Sequence, residues 1–197
     1  MNKTNIKSLA ADHHEDKTVL GFWVYLMTDL IMFAALFAAF AALRGNTFGG
    51  PSGEELFNLP FALTETVILL TSSFTCGLAT LAFQQNKKNQ VLGWYAVTMV
   101  LGLSFLAMEM TEFHRLLAEG NSFTRSAFLS SFFALVGTHG LHIAIGVLWM
   151  AIAMVIVVKR GLNPVMNSKL TRLSLFWHFL DLVWIFIFTI VYLMGAL

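Results

Sequence analysis

The sequence predicts an all-α integral membrane protein built as a bundle of five transmembrane helices. Of its 197 residues, 57% are hydrophobic and 12% are charged, whereas soluble domains carry about 25% charged residues. Five apolar runs are each long enough to cross a bilayer, which takes about 20 helical residues. None of the runs alternates as a barrel strand does, and backbone in lipid must satisfy its own hydrogen bonds, so the runs are expected to be helices.

The five helices are expected at residues 20–43, 60–83, 91–113, 128–158 and 173–197, within a single membrane domain over 19–197. A polar tail, residues 1–18, precedes the first helix. A polar connection follows each of the first four runs, and in order these connections read RGNTFGGPSGEELFN, QQNKKNQ, HRLLAEGNSFTRSA and KRGLNPVMNSKLTR. None of these connections is long enough to form a domain of its own.

Lysine and arginine are distributed unevenly between the two sides of such a bundle. Nine lie in the tail, the second connection and the fourth connection, against three on the other side, which are Arg44, Arg115 and Arg125. Because cytoplasmic loops are enriched in positive charge, this asymmetry predicts a cytoplasmic N-terminus and a periplasmic C-terminus.

Charge, cysteine content and motifs exclude several classes of function. A net charge of +1 with no basic block offers no footprint for nucleic acid. The single cysteine, Cys76, lies in an apolar run, so neither a disulfide framework nor a thiolate metal site is expected. No phosphate loop or nucleophile motif is present, and we predict no catalytic residue and no soluble small-molecule substrate.

Asp29 is the one charged residue within the first apolar run. It lies nine residues after Leu20, about 14 Å along the helix, and therefore near the middle of the membrane. An ionised carboxylate is costly there, so Asp29 either carries its proton or is paired inside the bundle. Two interpretations stay open: a functional acid, and a buried hydrogen-bonded acid that fixes helix packing.

Two further pairs of ionisable residues share helical faces, because each pair is three residues apart. His139 and His142 lie on the fourth helix, and His178 and Asp181 lie on the fifth. We expect all four in a layer with Asp29, in the cytoplasmic half or the middle of the membrane. Metal or haem ligation is one interpretation, but clear third and fourth ligands are missing, so interhelical hydrogen bonding is favoured and no metal site is predicted.

A second polar layer is expected near the outer face. Headgroups and water lie close to it, so charge is less costly there, and we favour an interfacial polar rim or a salt bridge with Arg115 or Arg125 over a functional site. The residues of this layer are Glu65, Glu109, Glu112 and His114.

Ala34, Ala38 and Ala42 form a stripe of small side chains on the first helix. Small residues let another helix or a lipid chain approach closely. The stripe is therefore predicted to be a packing surface.

The motifs of the last two helices, FFALVGTHGLHIAIG and LFWHFLDLVWIFIFTIVYLMG, resemble those of subunit III of haem-copper terminal oxidases. The resemblance extends to GFWVYLMTDLIMF, LPFALTETVILLTSS and MEMTEFHRL in the first three helices. It is strongest with the branch of that family found in bacterial cytochrome o ubiquinol oxidases. Asp29 stands where the cytochrome c oxidases usually have glutamate.

This resemblance implies a non-catalytic subunit of a proton-pumping complex in the bacterial cytoplasmic (inner) membrane. Haem and copper would belong to subunit I, with subunits II and IV as further partners, and phospholipid would bind near the acid at position 29. In the family the subunit supports proton uptake and protects the active site during turnover. The residues expected to form interhelical polar contacts are Glu112, His139, His142, His178 and Asp181. The alternative is a free-standing transporter or proton channel that uses buried acids and histidines as a relay.

Overall fold

The computed structural model describes residues 3–47, 56 and 58–195, with residues 3–18 and Pro164 described by their backbone alone. The described part contains five α-helices, and all five are long and apolar enough to cross a membrane, as predicted. The helices are α1 (Lys3–Leu43), α2 (Leu59–Gln84), α3 (Lys88–Ala118), α4 (Ala127–Arg160) and α5 (Pro164–Ile187), and a π-helical segment (Phe188–Leu193) follows α5.

Helix α5 begins earlier than predicted. This helix begins at Pro164 rather than at residue 173, because the Asn163 side chain caps it by accepting a 2.8 Å hydrogen bond from the Met166 amide. Proline is well suited to a first helical turn, where its missing N–H is not needed. Much of the fourth polar connection, including Lys169 and Arg172, is therefore helix. The polar residues 3–18 are helical and continuous with α1, and the apolar span itself begins at Val19.

The buried face of α3 follows an unbroken spacing of four and three residues. Such a 3.5-residue repeat keeps one stripe facing its neighbours and is typical of left-handed helix packing in membranes. The stripe consists of Val91, Tyr95, Thr98, Gly102, Phe105, Glu109, Glu112 and Leu116. Two carboxylic acids, Glu109 and Glu112, thus lie on the buried stripe of the helix.

Trp177 of α5 joins four helices at the centre of the bundle. Its indole N–H donates a 2.7 Å hydrogen bond to Ser72 of α2. A Cβ added at Gly102 of α3 would lie 2.7 Å from the indole ring, and one added at Gly146 of α4 would lie 3.0 Å from it. Glycine at both positions therefore makes the space that the indole fills.

Helix α1 packs mainly against α4 and α5. Its inward face carries Leu26, Phe33 and Phe40, which are all buried. The predicted alanine stripe, Ala34, Ala38 and Ala42, lies on exposed positions. Within the described residues, this stripe faces outward from the bundle rather than toward another helix of the chain.

Candidate functional site

Asp29 of α1 faces His142 of α4. The carboxyl group is buried, and its Oδ2 lies 3.7 Å from His142 Nε2, which is too long for a direct hydrogen bond. Tyr25, one turn before Asp29 on α1, lies within hydrogen-bonding reach of the same carboxyl group. Phe33 covers the histidine, with ring centroids 5.4 Å apart. The pair therefore lies at the α1–α4 contact, shielded by an aromatic ring.

The hydrogen bond on the far side of His142 fixes its tautomer. Nδ1 lies 2.7 Å from the Thr138 carbonyl oxygen. A carbonyl can only accept, so Nδ1 carries a hydrogen and the neutral ring turns the lone pair of Nε2 toward Asp29. The ring and the carboxyl group therefore face each other across the contact between two helices.

His139, one turn before His142 on α4, points into an aromatic enclosure. Its ring stacks on Trp184 at 5.3 Å, and Phe105 and Phe33 approach its edges at 5.9 Å and 6.3 Å. The side chain is fully buried, and neither ring nitrogen has a hydrogen-bond partner within the described residues. This histidine therefore makes no interhelical hydrogen bond there, contrary to the expectation from sequence.

Three glutamates form a buried cluster, defined here as the glutamate cluster, between α2 and α3. The exposed fractions of Glu65, Glu109 and Glu112 are 0%, 3% and 3%, and the three groups are close enough to interact electrostatically. Gly140 of α4 makes room for one of them, because a Cβ there would lie 2.6 Å from Glu109 Oε1. The expected interfacial polar rim is wrong for these three side chains, although His114 is exposed. The alternative, a salt bridge with Arg115, is found at Glu112.

Among the described residues, Glu112 is the member of the glutamate cluster that has polar partners. Tyr192 donates a 2.8 Å hydrogen bond to its Oε2, and Arg115 Nη2 lies 3.9 Å from its Oε1. The same Arg115 nitrogen donates to the Leu56 carbonyl oxygen at 3.2 Å, which ties the connection between α1 and α2 to the end of α3. By contrast, the oxygens of Glu65 and Glu109 have no hydrogen-bond partner in the described part of the chain.

Ser73 of α2 joins the two ionisable residues of α5. Its hydroxyl lies 2.6 Å from His178 Nδ1, and Asp181 is close enough to both residues to interact with them electrostatically. The Oδ1 atom of Asp181 is buried without a partner among the described residues. We refer to Ser73, His178 and Asp181 as the serine trio.

The single layer expected from sequence thus consists of separate groups. Asp29 meets His142, His139 lies among aromatic rings, and His178 and Asp181 meet Ser73 of α2. Both histidines of α4 lie against Phe33, but His142 faces Asp29 of α1, whereas His139 stacks on Trp184 of α5. No group of three His, Cys, Asp or Glu side chains among the described residues is arranged to hold a metal ion.

Sequence reasoning missed Ser73, Tyr192 and Gly140. A serine in an apolar run and a tyrosine near a helix end carry no distinctive pattern. For Gly140 a signal did exist, because small residues in membrane helices often mark close contacts.

Comparison with known proteins places these features in context. The sequence matches the family described as "Cytochrome c oxidase subunit III" over residues 5–196. It is 55% identical to "Cytochrome bo(3) ubiquinol oxidase subunit 3" of Pseudomonas aeruginosa, over 94% of this chain and 90% of the relative. The protein of the same name from Pseudomonas putida is 57% identical over 91% of this chain and 87% of the relative. "Cytochrome c oxidase subunit 3" of Bacillus sp. PS3 is 47% identical over 89% of this chain and 85% of the relative.

Proposed function

The chain belongs to the cytochrome c oxidase subunit III family, and from this premise we propose that it is the non-catalytic subunit III of a proton-pumping terminal ubiquinol oxidase in the bacterial cytoplasmic membrane. The complex oxidises quinol, reduces oxygen to water and pumps protons. The observation that carries the proposal is that relatives 55% and 57% identical, over about nine-tenths of each chain, are both named ubiquinol oxidase subunit 3.

The partners proposed for this chain are oxidase subunits I, II and IV, together with membrane phospholipid. Haem and copper belong to subunit I in this assignment, and this chain holds no cofactor of its own. A relative 47% identical bears the name of a cytochrome c oxidase subunit. This supports the view that the electron donor is selected by other subunits. The bias of lysine and arginine supports a cytoplasmic N-terminus and a periplasmic C-terminus.

The Asp29–His142 pair gives this subunit a specific part in proton supply. It lies near mid-membrane on α1 and α4, where the carboxyl group and the imidazole ring face each other at 3.7 Å. We assign it the role of sustaining proton uptake by the catalytic subunit, so that turnover continues without inactivation. The remaining buried polar groups fix helix packing and support assembly.

A free-standing transporter or proton channel, the alternative raised by the sequence, is not favoured. Such a protein needs a continuous polar path through the membrane. In the described residues the ionisable groups are separated instead, and His139, which lies between α3 and α5, is enclosed by apolar rings. Its nitrogens make no hydrogen bond through which a proton could move on.

Deletion of the chain tests this function. Membranes are prepared from a strain that lacks its other terminal oxidases, and ubiquinol-driven oxygen uptake is recorded over successive minutes. We expect either loss of the assembled oxidase or an initial rate that decays faster than in the parent, restored by the wild-type gene. An unchanged rate and an unchanged time course would contradict the proposal.

A further inference from the structure

The serine trio lies at a depth where hydrocarbon surrounds a membrane protein. His178 is near the middle of the span Val165–Leu193, and Ser73 is near the middle of Leu59–Gln84. His178 is nevertheless exposed on the surface of the chain. Ionisable side chains at this depth almost always face the interior of a bundle or a polar partner, because contact with lipid tails is costly.

A groove of about 440 Å³ opens beside the trio between α2 and α5, and we call it the α2–α5 groove. Its floor on the α2 side is made by small residues one turn apart, Ser73 and Gly77, and no other atom lies within 4 Å of a Cβ added at Gly77. Phe74, with 68% of its surface exposed, stands at the edge of the groove. Small residues at this spacing let a second helix approach closely.

The groove side of the trio also has hydrogen-bonding capacity to spare. Ser73 engages Nδ1 of His178, so the Nε2 atom is left over within the described residues. If the Ser73 hydroxyl donates to Nδ1, Nε2 carries the hydrogen and is a free donor. If the hydroxyl accepts from Nδ1, Nε2 is a free acceptor. A side chain that can both donate and accept matches this site in either state.

We propose that a transmembrane helix from another subunit of the complex packs into the α2–α5 groove and presents a hydroxyl or carboxamide side chain to His178. Depth decides the occupant: phospholipid headgroups do not reach mid-membrane, and acyl chains offer no hydrogen bond. A helix can pack closely against the small residues Ser73 and Gly77, and a polar side chain on that helix can form a hydrogen bond with His178 Nε2. The inference rests on the proposed function, since it needs a complex of several chains.

Gly77→Leu is the steric test, because a Cβ at Gly77 has no neighbour within 4 Å among the described residues and the leucine side chain would extend into the groove. Gly93→Leu on α3 is the matched control, since a Cβ at Gly93 also has no neighbour within 4 Å. Each tagged variant is purified from its own membranes in mild detergent, and the haem-bearing chain is quantified per tagged chain. We expect Gly77→Leu to lower this ratio about tenfold, which corresponds to roughly 1.4 kcal/mol of lost contact. Gly93→Leu should match the wild type.

A photo-crosslink identifies the occupant directly. Benzoylphenylalanine is placed at Phe74 beside the groove and, as a control, at Val100 on the exposed face of α3. A crosslink from position 74 to a transmembrane segment of another subunit, weakened by Gly77→Leu, supports the proposal. Crosslinks from position 74 to lipid or quinol alone would overturn it.

The proposed function and the assignment of the groove are contradicted by different results. If the wild-type chain brings down no haem-bearing partner, the proposed function fails and this inference fails with it. If wild type, Gly77→Leu and Gly93→Leu all bring down the partner equally, the assignment of the groove fails and the proposed function stands.

Discussion

Gly102→Ala is predicted to destabilise the bundle through its contact with Trp177. The added Cβ would lie 2.7 Å from Cη2 and 2.9 Å from Cζ2 of the indole, and 3.3 Å from Cγ2 of Val147. The ring cannot retreat, because Ser72 holds its N–H at 2.7 Å and the backbone of Gly146 lies against its other edge. Overpacking of this kind costs about 1–3 kcal/mol.

At 2–4 °C per kcal/mol for a chain of this size, the thermal midpoint should fall by roughly 2–12 °C. The assay heats the purified complex in mild detergent and follows the fraction of this chain that stays associated and soluble. Gly93→Ala is the control on the same helix, since a Cβ there meets nothing within 4 Å. It should be neutral or slightly stabilising, because alanine is a better helix former than glycine.

A double-mutant cycle then tests the contact itself. Trp177→Phe alone loses the hydrogen bond to Ser72, about 1 kcal/mol, and leaves a gap. Combined with Gly102→Ala, it should cost less than the sum of the single changes, by roughly 0.5–3 kcal/mol, because the smaller ring removes the clash. Strictly additive effects, or a Gly102→Ala variant as stable as Gly93→Ala, would refute this account of the packing.

Three further predictions concern the buried acids. Asp29→Asn should leave assembly intact, because the amide is close in size, but should hasten the decay of quinol-driven oxygen uptake; unchanged progress curves would assign Asp29 a purely structural role. Glu109→Gln should shift the thermal midpoint of the complex by less than about 3 °C, because neither carboxyl oxygen loses a hydrogen bond, and a larger fall would mean that the carboxylate has a partner. Arg115→Ala should lower the stability of the complex by about 1–2 kcal/mol, because the hydrogen bond to the Leu56 carbonyl oxygen and the 3.9 Å contact with Glu112 are lost. Equal thermal midpoints of variant and wild type would show that these two contacts of Arg115 do not stabilise the protein.

Hydropathy located the five spans because the energetic cost of polar groups in lipid leaves long uninterrupted apolar runs. It placed the start of α5 too late, since a membrane helix can extend beyond the hydrocarbon core on polar residues such as Lys169 and Arg172. The signal for the true start is local: asparagine followed by proline, at Asn163 and Pro164, is typical of a helix N-terminus.

The direction in which each polar side chain points was harder to predict. Glu109 and Glu112 lie near the end of a span, which suggested contact with water, yet they fall on the same stripe as the buried Phe105 and Leu116. That spacing could have indicated burial from sequence. Which helix a face meets, by contrast, depends on the arrangement of all five helices, so the pairing of Asp29 with His142 could not be read from either segment alone.

Native mass spectrometry of the chain, affinity-purified from its own membranes in mild detergent, tests the central claim most directly. Membership of a terminal quinol oxidase predicts that a large haem-bearing chain is released together with this one in a fixed stoichiometry. A monodisperse species that contains this chain alone, reproduced across detergents that preserve other respiratory complexes, would contradict it.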